Sequence, residues 1–245
     1  MRSHRFLKIL SSKSPGVITP GSAIKITGYN KAYAYTYLNR LVNRGELIRV
    51  EKGKYVLPGT TAPIVASNLV HPSYISLLFG LFMHHRTTQI PVVIDVISPV
   101  SKREIDYNGY NISFVKFPQR RIFGYASERA EGNMALSLGS LEKVIIDCLY
   151  LPKYCPLQET YSAIREGVDV PRLIETGIRM SSGITLKRLG YILDTIGIDI
   201  HEDISKYINY KFDPLDPISS TNGSDVIKDR KWHLLINTIL KTKEI

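Results

Sequence analysis

Cysteine is nearly absent from this chain: there are two, Cys148 and Cys155, in 245 residues. That excludes a disulfide-stapled scaffold and a four-thiolate zinc cage, and such sparse use fits a reducing cytoplasm. Long hydrophobic runs are missing too. The longest, Tyr74 to Met83, stops at His84-His85-Arg86, well short of the roughly 20 residues a spanning helix requires, so no membrane crossing is expected. The basic start MRSHRFLKIL is interrupted by Lys8 and lacks a small-residue cleavage site, which argues against a secretory leader. With 13 Pro and 17 Gly the chain is neither collagen-like nor of low complexity. At 44% hydrophobic and 22% charged it reads as globular, with one large or two small cores.

Acidic residues are scarce in one place only. Residues 1 to 57 hold 11 Lys and Arg against Glu46 and Glu51, a net charge of +9, whereas the remainder holds 21 against 20, a net charge of +1. A compact basic block joined to a neutral body points to a module that binds a polyanion.

The basic block carries the pattern of a winged helix-turn-helix. A short apolar helix with Phe6, Leu7, Ile9 and Leu10 ends in the Ser, Pro and Gly residues of 11–16. Thr19 is placed to cap a second helix whose first residue is Pro20, and Gly28-Tyr29-Asn30 supplies the turn. A third helix is predicted from Lys31 to about Asn43. Its apolar Ala34, Tyr37, Leu38 and Leu41 share one stripe, leaving Ala32, Tyr33, Thr36, Asn39, Arg40 and Asn43 on the other side. After Arg44-Gly45, strands at Leu47 to Val50 and Lys54 to Leu57 flank the tip Glu51-Lys52-Gly53, which makes a wing.

In this geometry the third helix enters the major groove and the wing grips phosphates. The predicted DNA-binding set is Lys31, Tyr33, Thr36, Asn39, Arg40, Asn43 and Arg44 on the helix and its end, with Arg49, Lys52 and Lys54 on the wing. Asn and Arg side chains hydrogen-bond base edges, while Tyr33 and Thr36 suit a phosphate or a thymine methyl.

Pro58 to Pro63 is expected as a linker, with a larger mixed domain over 64–245. In that domain a short helix is predicted at Ile64 to Leu69 and a longer apolar one from His71-Pro72-Ser73 to His85. Extended segments are predicted at Val92 to Ser98, Arg103 to Tyr107, Tyr110 to Phe117 and Arg121 to Tyr125, with Asn108-Gly109 as a hairpin turn. Helices follow at Ser140 to Tyr150, Leu157 to Glu166, Pro171 to Met180 and Thr185 to Ile196. Tyr210 to Phe212 and Trp232 to Leu240 are candidates to close the sheet, and Asp213 to Asp229 reads as a mobile loop. The fold class is therefore α+β. Asp147 is expected to pair with Arg188, and Cys148 and Cys155 to serve as a core residue and a loop thiol.

Several words occur in order along the chain: GELIRVEKGKYVLP closing the basic module, PSYIS at Pro72 to Ser76, IPVVIDVIS, NISFVKF followed by Ile122-Phe123-Gly124, SLEKVIIDCLYLP at Ser140 to Pro152, and KRLGYIL at Lys187 to Leu193. Over about residues 1 to 195 the set resembles the AbiEi family, antitoxins of type IV toxin-antitoxin systems that also repress their own transcription. The resemblance implies a winged helix on double-stranded operator DNA of its own operon, in the cytoplasm. It also implies a carboxy-terminal domain that counters a nucleotidyltransferase-like toxin, with direct contact between the two left open. Little beyond Ile196 is recognisable.

Enzyme signatures are missing: G-x-x-x-x-G-K-[ST], G-x-G-x-x-G after a strand, H-E-x-x-H and G-x-S-x-G do not occur. No catalytic residue, cofactor or metal ligand is assigned. His84 and His85 diverge by about 100° on a helix and cannot share a metal, while His4, His71, His201 and His233 are scattered. Two alternatives stand beside the regulator. One is an antidote whose basic block grips an acidic toxin surface. The other is a Mg²⁺-dependent nuclease built on Asp95 and Glu104 near Lys102 and Arg103.

Overall fold

The computed structural model of the chain describes residues 3–13, 16–130, 134–221 and 226–241, with the side chains of Ser11 and Lys13 left out. It is mixed α and β and divides into two compact units. The first draws on residues 1–75, 92–117 and 126–138, the second on 76–91, 118–125 and 139–245.

The first unit begins with helices α1 (Ser3–Lys13), α2 (Pro20–Thr27) and α3 (Lys31–Asn43), followed by the antiparallel pair β1 (Ile48–Glu51) and β2 (Lys54–Val56). Thr19 and Ser22 form a reciprocal capping box at α2, with Ser22 N–H donating to Thr19 Oγ1 at 3.2 Å and Thr19 N–H to Ser22 Oγ at 2.9 Å. Gly28 closes α2 at φ 74°, and Asn30 caps α3 by accepting the Tyr33 N–H at 2.8 Å. Ile18 bridges to Tyr55 with bonds of 2.7 and 2.9 Å, adding a third extended segment beside the hairpin. Phe6, Leu10, Ile18, Ala23, Tyr37, Leu38, Leu41, Leu47 and Tyr55 form one buried cluster. This is a winged helix-turn-helix, held by its own core.

The rest of this unit is helix α4 (Ala62–Asn68) and a six-stranded sheet of order β5-β6-β4-β3-β8-β7. Its strands are β3 (Tyr74–Ile75), β4 (Val93–Ser98), β5 (Ile105–Tyr107), β6 (Tyr110–Lys116), β7 (Tyr125–Arg129) and β8 (Ala135–Gly139). β4 and β6 run parallel, while β5 returns on β6 through Asn108-Gly109, both with positive φ.

Three expectations fail in this region, and one strand was not foreseen. The linker at 58–63 falls inside the first unit: Thr60 and Ala62 are buried, and the Thr60 carbonyl accepts the Tyr107 hydroxyl at 2.9 Å. Pro and Gly mark a loop, but only long-range contacts decide whether a loop separates domains. The apolar helix from His71 to His85 is instead strand β3 and the shorter helix α5 (Leu77–Met83). Tyr74 and Ile75 pair with Ile97 and Val96 of β4, and periodicity alone does not tell a short buried strand from a buried helix. Residues Gln119–Arg121 form a 3₁₀ turn and Gly124 takes φ 67°, so extended structure begins at Tyr125 and not at Arg121. Strand β8 has no counterpart in the sequence reading.

The second unit is built from α5, α6 (Leu141–Tyr150), α7 (Leu157–Arg165), α8 (Val170–Met180), α9 (Gly183–Thr195) and the short α10 (His201–Ile204). It ends in a separate three-stranded sheet of order β10-β11-β9, formed by β9 (Asp213–Pro214), β10 (Ile227–Asp229) and β11 (Leu234–Ile236). The carboxy-terminal strands therefore do not close the main sheet; they pair with one another. The loop expected at Asp213 to Asp229 contains β9 and β10; its residues 222–225 lie outside the described residues. Trp232 is fully buried, with its indole N–H donating to Asp194 at 2.6 Å. A Cβ at Gly190 would collide with that ring, so this position must be glycine.

The charged residues of this unit pair differently from expectation. Asp147 binds the Lys143 ammonium and accepts the Ser76 hydroxyl at 2.8 Å; Arg188 donates instead to the carbonyls of Leu215, Leu149 and Pro214 at 2.8, 2.9 and 3.3 Å. One turn separates Lys143 from Asp147 on α6, so the local partner wins over a distant one. Burial lowers the pKa of Lys143 against the pull of Asp147, and brings Arg188 down to about 10. Cys148 and Cys155 are both buried, and burial pushes the Cys148 thiol up. Among the described residues no helix is long and apolar enough to cross a membrane.

Candidate nucleic-acid interface

Helix α3 buries Ala34, Tyr37, Leu38 and Leu41 against the headpiece core. At about 100° per residue, Ala32, Thr36, Asn39 and Asn43 then fall on one line directly opposite that core. All four are exposed. Tyr33, Tyr37, Arg40 and Arg44 fall on a second line, rotated from the first by about 100° toward α1. The sequence reading merges these two lines into one face; the helix separates them.

The outer line is bordered by the wing. Asn39 Oδ1 accepts the Tyr55 hydroxyl at 3.3 Å, so the wing base steadies a residue of the outer line. Lys31, Arg49 and Lys52 are exposed, as the predicted set requires, and Gly53 makes the tip reversal at φ 77°. Lys54 departs from that set. It is half-buried, its ammonium lies 3.0 Å from Glu51 and it also donates to the Leu69 carbonyl. Glu51 is held as well by Lys102 at 2.6 Å. Burial of Glu51 works against its charge, but the hydrogen bonds from Lys102 and Lys54 win and keep its carboxyl below the ordinary range. Glu51 thus engages both Lys54 and Lys102, leaving Arg49 and Lys52 as the wing's exposed cations.

The second line borders a groove of about 490 Å³ lined by Ser3, His4, Tyr29, Tyr33, Tyr37, Arg40, Leu41 and Arg44. Tyr29 meets Tyr33 and Tyr37 edge-on, at 4.6 and 5.5 Å between centroids, and Phe6 supports Tyr37 at 5.3 Å. The Arg40 guanidinium stands 6.0 Å from the Tyr33 centroid. Sequence reasoning missed His4 and Tyr29 as parts of a site, and took Tyr37 for core alone. The signal was present in the spacing of Tyr33, Tyr37, Arg40 and Arg44, but only the fold brings α1 beside them.

The carboxylates of the nuclease alternative lie elsewhere. Asp95 is buried on β4 and its Oδ1 has no hydrogen-bond partner among the described residues. Burial, with Glu104 adding to it, pushes its pKa up to about 7. A carboxyl that retains its proton so readily is a poor ligand for Mg²⁺. Lys102, one of the two cations of that alternative, is taken by Glu51. Among the described residues no group of three or more His, Cys, Asp or Glu is placed to hold a metal ion.

Residues 5–58 match the family described as transcriptional regulator, AbiEi antitoxin, which is the family the sequence resembles. The whole fold is similar to the crystal structure of the RV2827C protein from Mycobacterium tuberculosis, with a TM-score of 0.59 at 14% identity over 95% of this chain and 90% of that one. No curated protein matches the chain.

Proposed function

We propose that this protein is a DNA-binding antitoxin that occupies the promoter of its own operon. The observation that carries the reading is the exposed line Ala32, Thr36, Asn39 and Asn43, set opposite the headpiece core and flanked by outward cations in a module matching the AbiEi regulators. Placed in a major groove, Asn39 and Asn43 offer paired donors and acceptors to base edges and Thr36 offers a methyl to thymine. Lys31, Arg49 and Lys52 meet the flanking phosphates. Arg40 and Arg44, on the other line, serve the backbone and not the bases.

By the same reading the protein acts in the cytoplasm as the antitoxin of a type IV pair. The remainder of the chain counters a nucleotidyltransferase-like toxin. Binding of a fluorescent duplex from upstream of its own gene, against a shuffled duplex of equal length, tests the DNA half of the proposal. Tighter binding to the upstream duplex is expected; equal, salt-insensitive binding to both would defeat it.

A further inference from the structure

The Tyr37 hydroxyl is buried, with the residue only 8% exposed, and it has no hydrogen-bond partner among the described residues. Leaving such a group unsatisfied is costly, and native proteins seldom do so without a ligand, an ion or a water to complete it. Tyr37 lines the groove between α1 and α3, as do Arg40, Arg44 and His4. A donor hydroxyl, two planar cations and a histidine around a space of about 490 Å³ make a site for a phosphoryl group, which offers several acceptor oxygens and a full negative charge.

We infer that this groove is a phosphate clamp, in which Tyr37, Arg40 and Arg44 together hold one phosphodiester of the DNA strand beside the groove that α3 reads. The inference rests on the DNA reading above and assigns a ligand within it. Tyr37 thereby has two functions: its ring packs on Phe6 and Tyr29, and its hydroxyl donates to a non-bridging phosphate oxygen. Burial, first, and the neighbouring Tyr29 and Glu46 raise its pKa, which keeps the proton available for donation. Glu46 is the opposing element. Its carboxylate stands 4.0 Å from Arg44 without lining the groove, and its negative charge works against a bound phosphate.

Four proteins decide the matter: wild type, Tyr37→Phe, Arg44→Ala and Glu46→Gln, each titrated with the upstream and shuffled duplexes over a salt series. Tyr37→Phe keeps the ring and should weaken both duplexes alike, by about tenfold, with an unchanged or raised thermal midpoint. Arg44→Ala should weaken both duplexes and reduce the salt slope by about one. Glu46→Gln should tighten both a few-fold. The clamp is overturned if Tyr37→Phe binds both duplexes as wild type does. It is equally overturned if that variant loses only AMP binding, followed by tyrosine fluorescence, because the phosphate would then belong to a free nucleotide. Failure of the wild type on every duplex would instead defeat the DNA reading itself, and is told apart because it appears before any substitution.

Discussion

The two units use the same residue types in opposite ways. In the headpiece Lys31, Arg40, Arg44, Arg49 and Lys52 hold their charges in water, with few acidic neighbours. In the helical unit Lys143 and Lys187 are fully buried and Arg188 nearly so, each tied to named oxygens: Asp147 for Lys143, Asn209 and Asp213 at 2.8 Å for Lys187, and three carbonyls for Arg188. A solvated cation contributes little to stability and remains available to a partner, whereas a buried one must be matched inside the fold or expelled. Position in space, and not the count of Lys and Arg, separates the charges left accessible to a partner from those that hold the structure together.

The contrast is tested most strongly by salt. If about six phosphates are neutralised, log affinity for DNA should fall with log salt at a slope near −5, a loss of about a thousandfold between 50 and 200 mM. Unfolding of the chain over the same range should change little, because the helical unit's cations are buried and poorly screened. An affinity flat across the series would erase the distinction.

Asp147→Ala attacks it from the other side. This leaves the Lys143 ammonium buried without its carboxylate and should cost about 3–5 kcal/mol in denaturant unfolding. Lys52→Ala should stay within about 0.5 kcal/mol of wild type while weakening all duplexes alike. Equal stability of the two variants would show that burial does not set the role of these charges.

Asp95 gives a pH test on the first unit. Its carboxyl ionises near 3.8 when unfolded and near 7 in the fold. Between those values the native state holds the proton more tightly, so the contribution of Asp95 to stability is most favourable below about pH 4, declines toward 7 and stays lower above it. Asp95→Asn should therefore stabilise the protein at pH 8 by on the order of 2 kcal/mol and have little effect at pH 4. A stability difference that is the same at both values would refute the assignment.

The finest distinction lies between the two lines of α3. Asn39→Ala should relax discrimination between upstream and shuffled duplexes by about 1–3 kcal/mol, whereas Arg40→Ala should weaken both equally. Sequence reasoning assigned base reading to both residues, so a relaxed specificity for Arg40→Ala would restore that version and reject the geometric one.

What could be read in the sequence follows from how local each signal is. The cap at Thr19, the turn at Gly28, the stripe of α3 and the glycine at the wing tip are set by near neighbours in the chain, and all four appear as expected. Asn108-Gly109 likewise fixed a hairpin. The errors arose where a distant partner decides: Tyr74 and Ile75 became a strand because β4 and β8 accept their backbone, and the last strands paired with one another. Lys54 looked like a free wing cation until Glu51 and the Leu69 carbonyl took its ammonium.

By itself the sequence determined where the positive charge lies, that a three-helix headpiece with a wing would form there, and which residues of α3 would point inward, since charge, capping and periodicity are written in near neighbours. Only the tertiary structure decided that the exposed side of α3 divides into two lines, that Tyr37 carries an unsatisfied hydroxyl beside α1, and which cations of the chain are buried. Those outcomes depend on segments far apart in the chain meeting in space, and a hydrogen bond or its absence exists only once they have met.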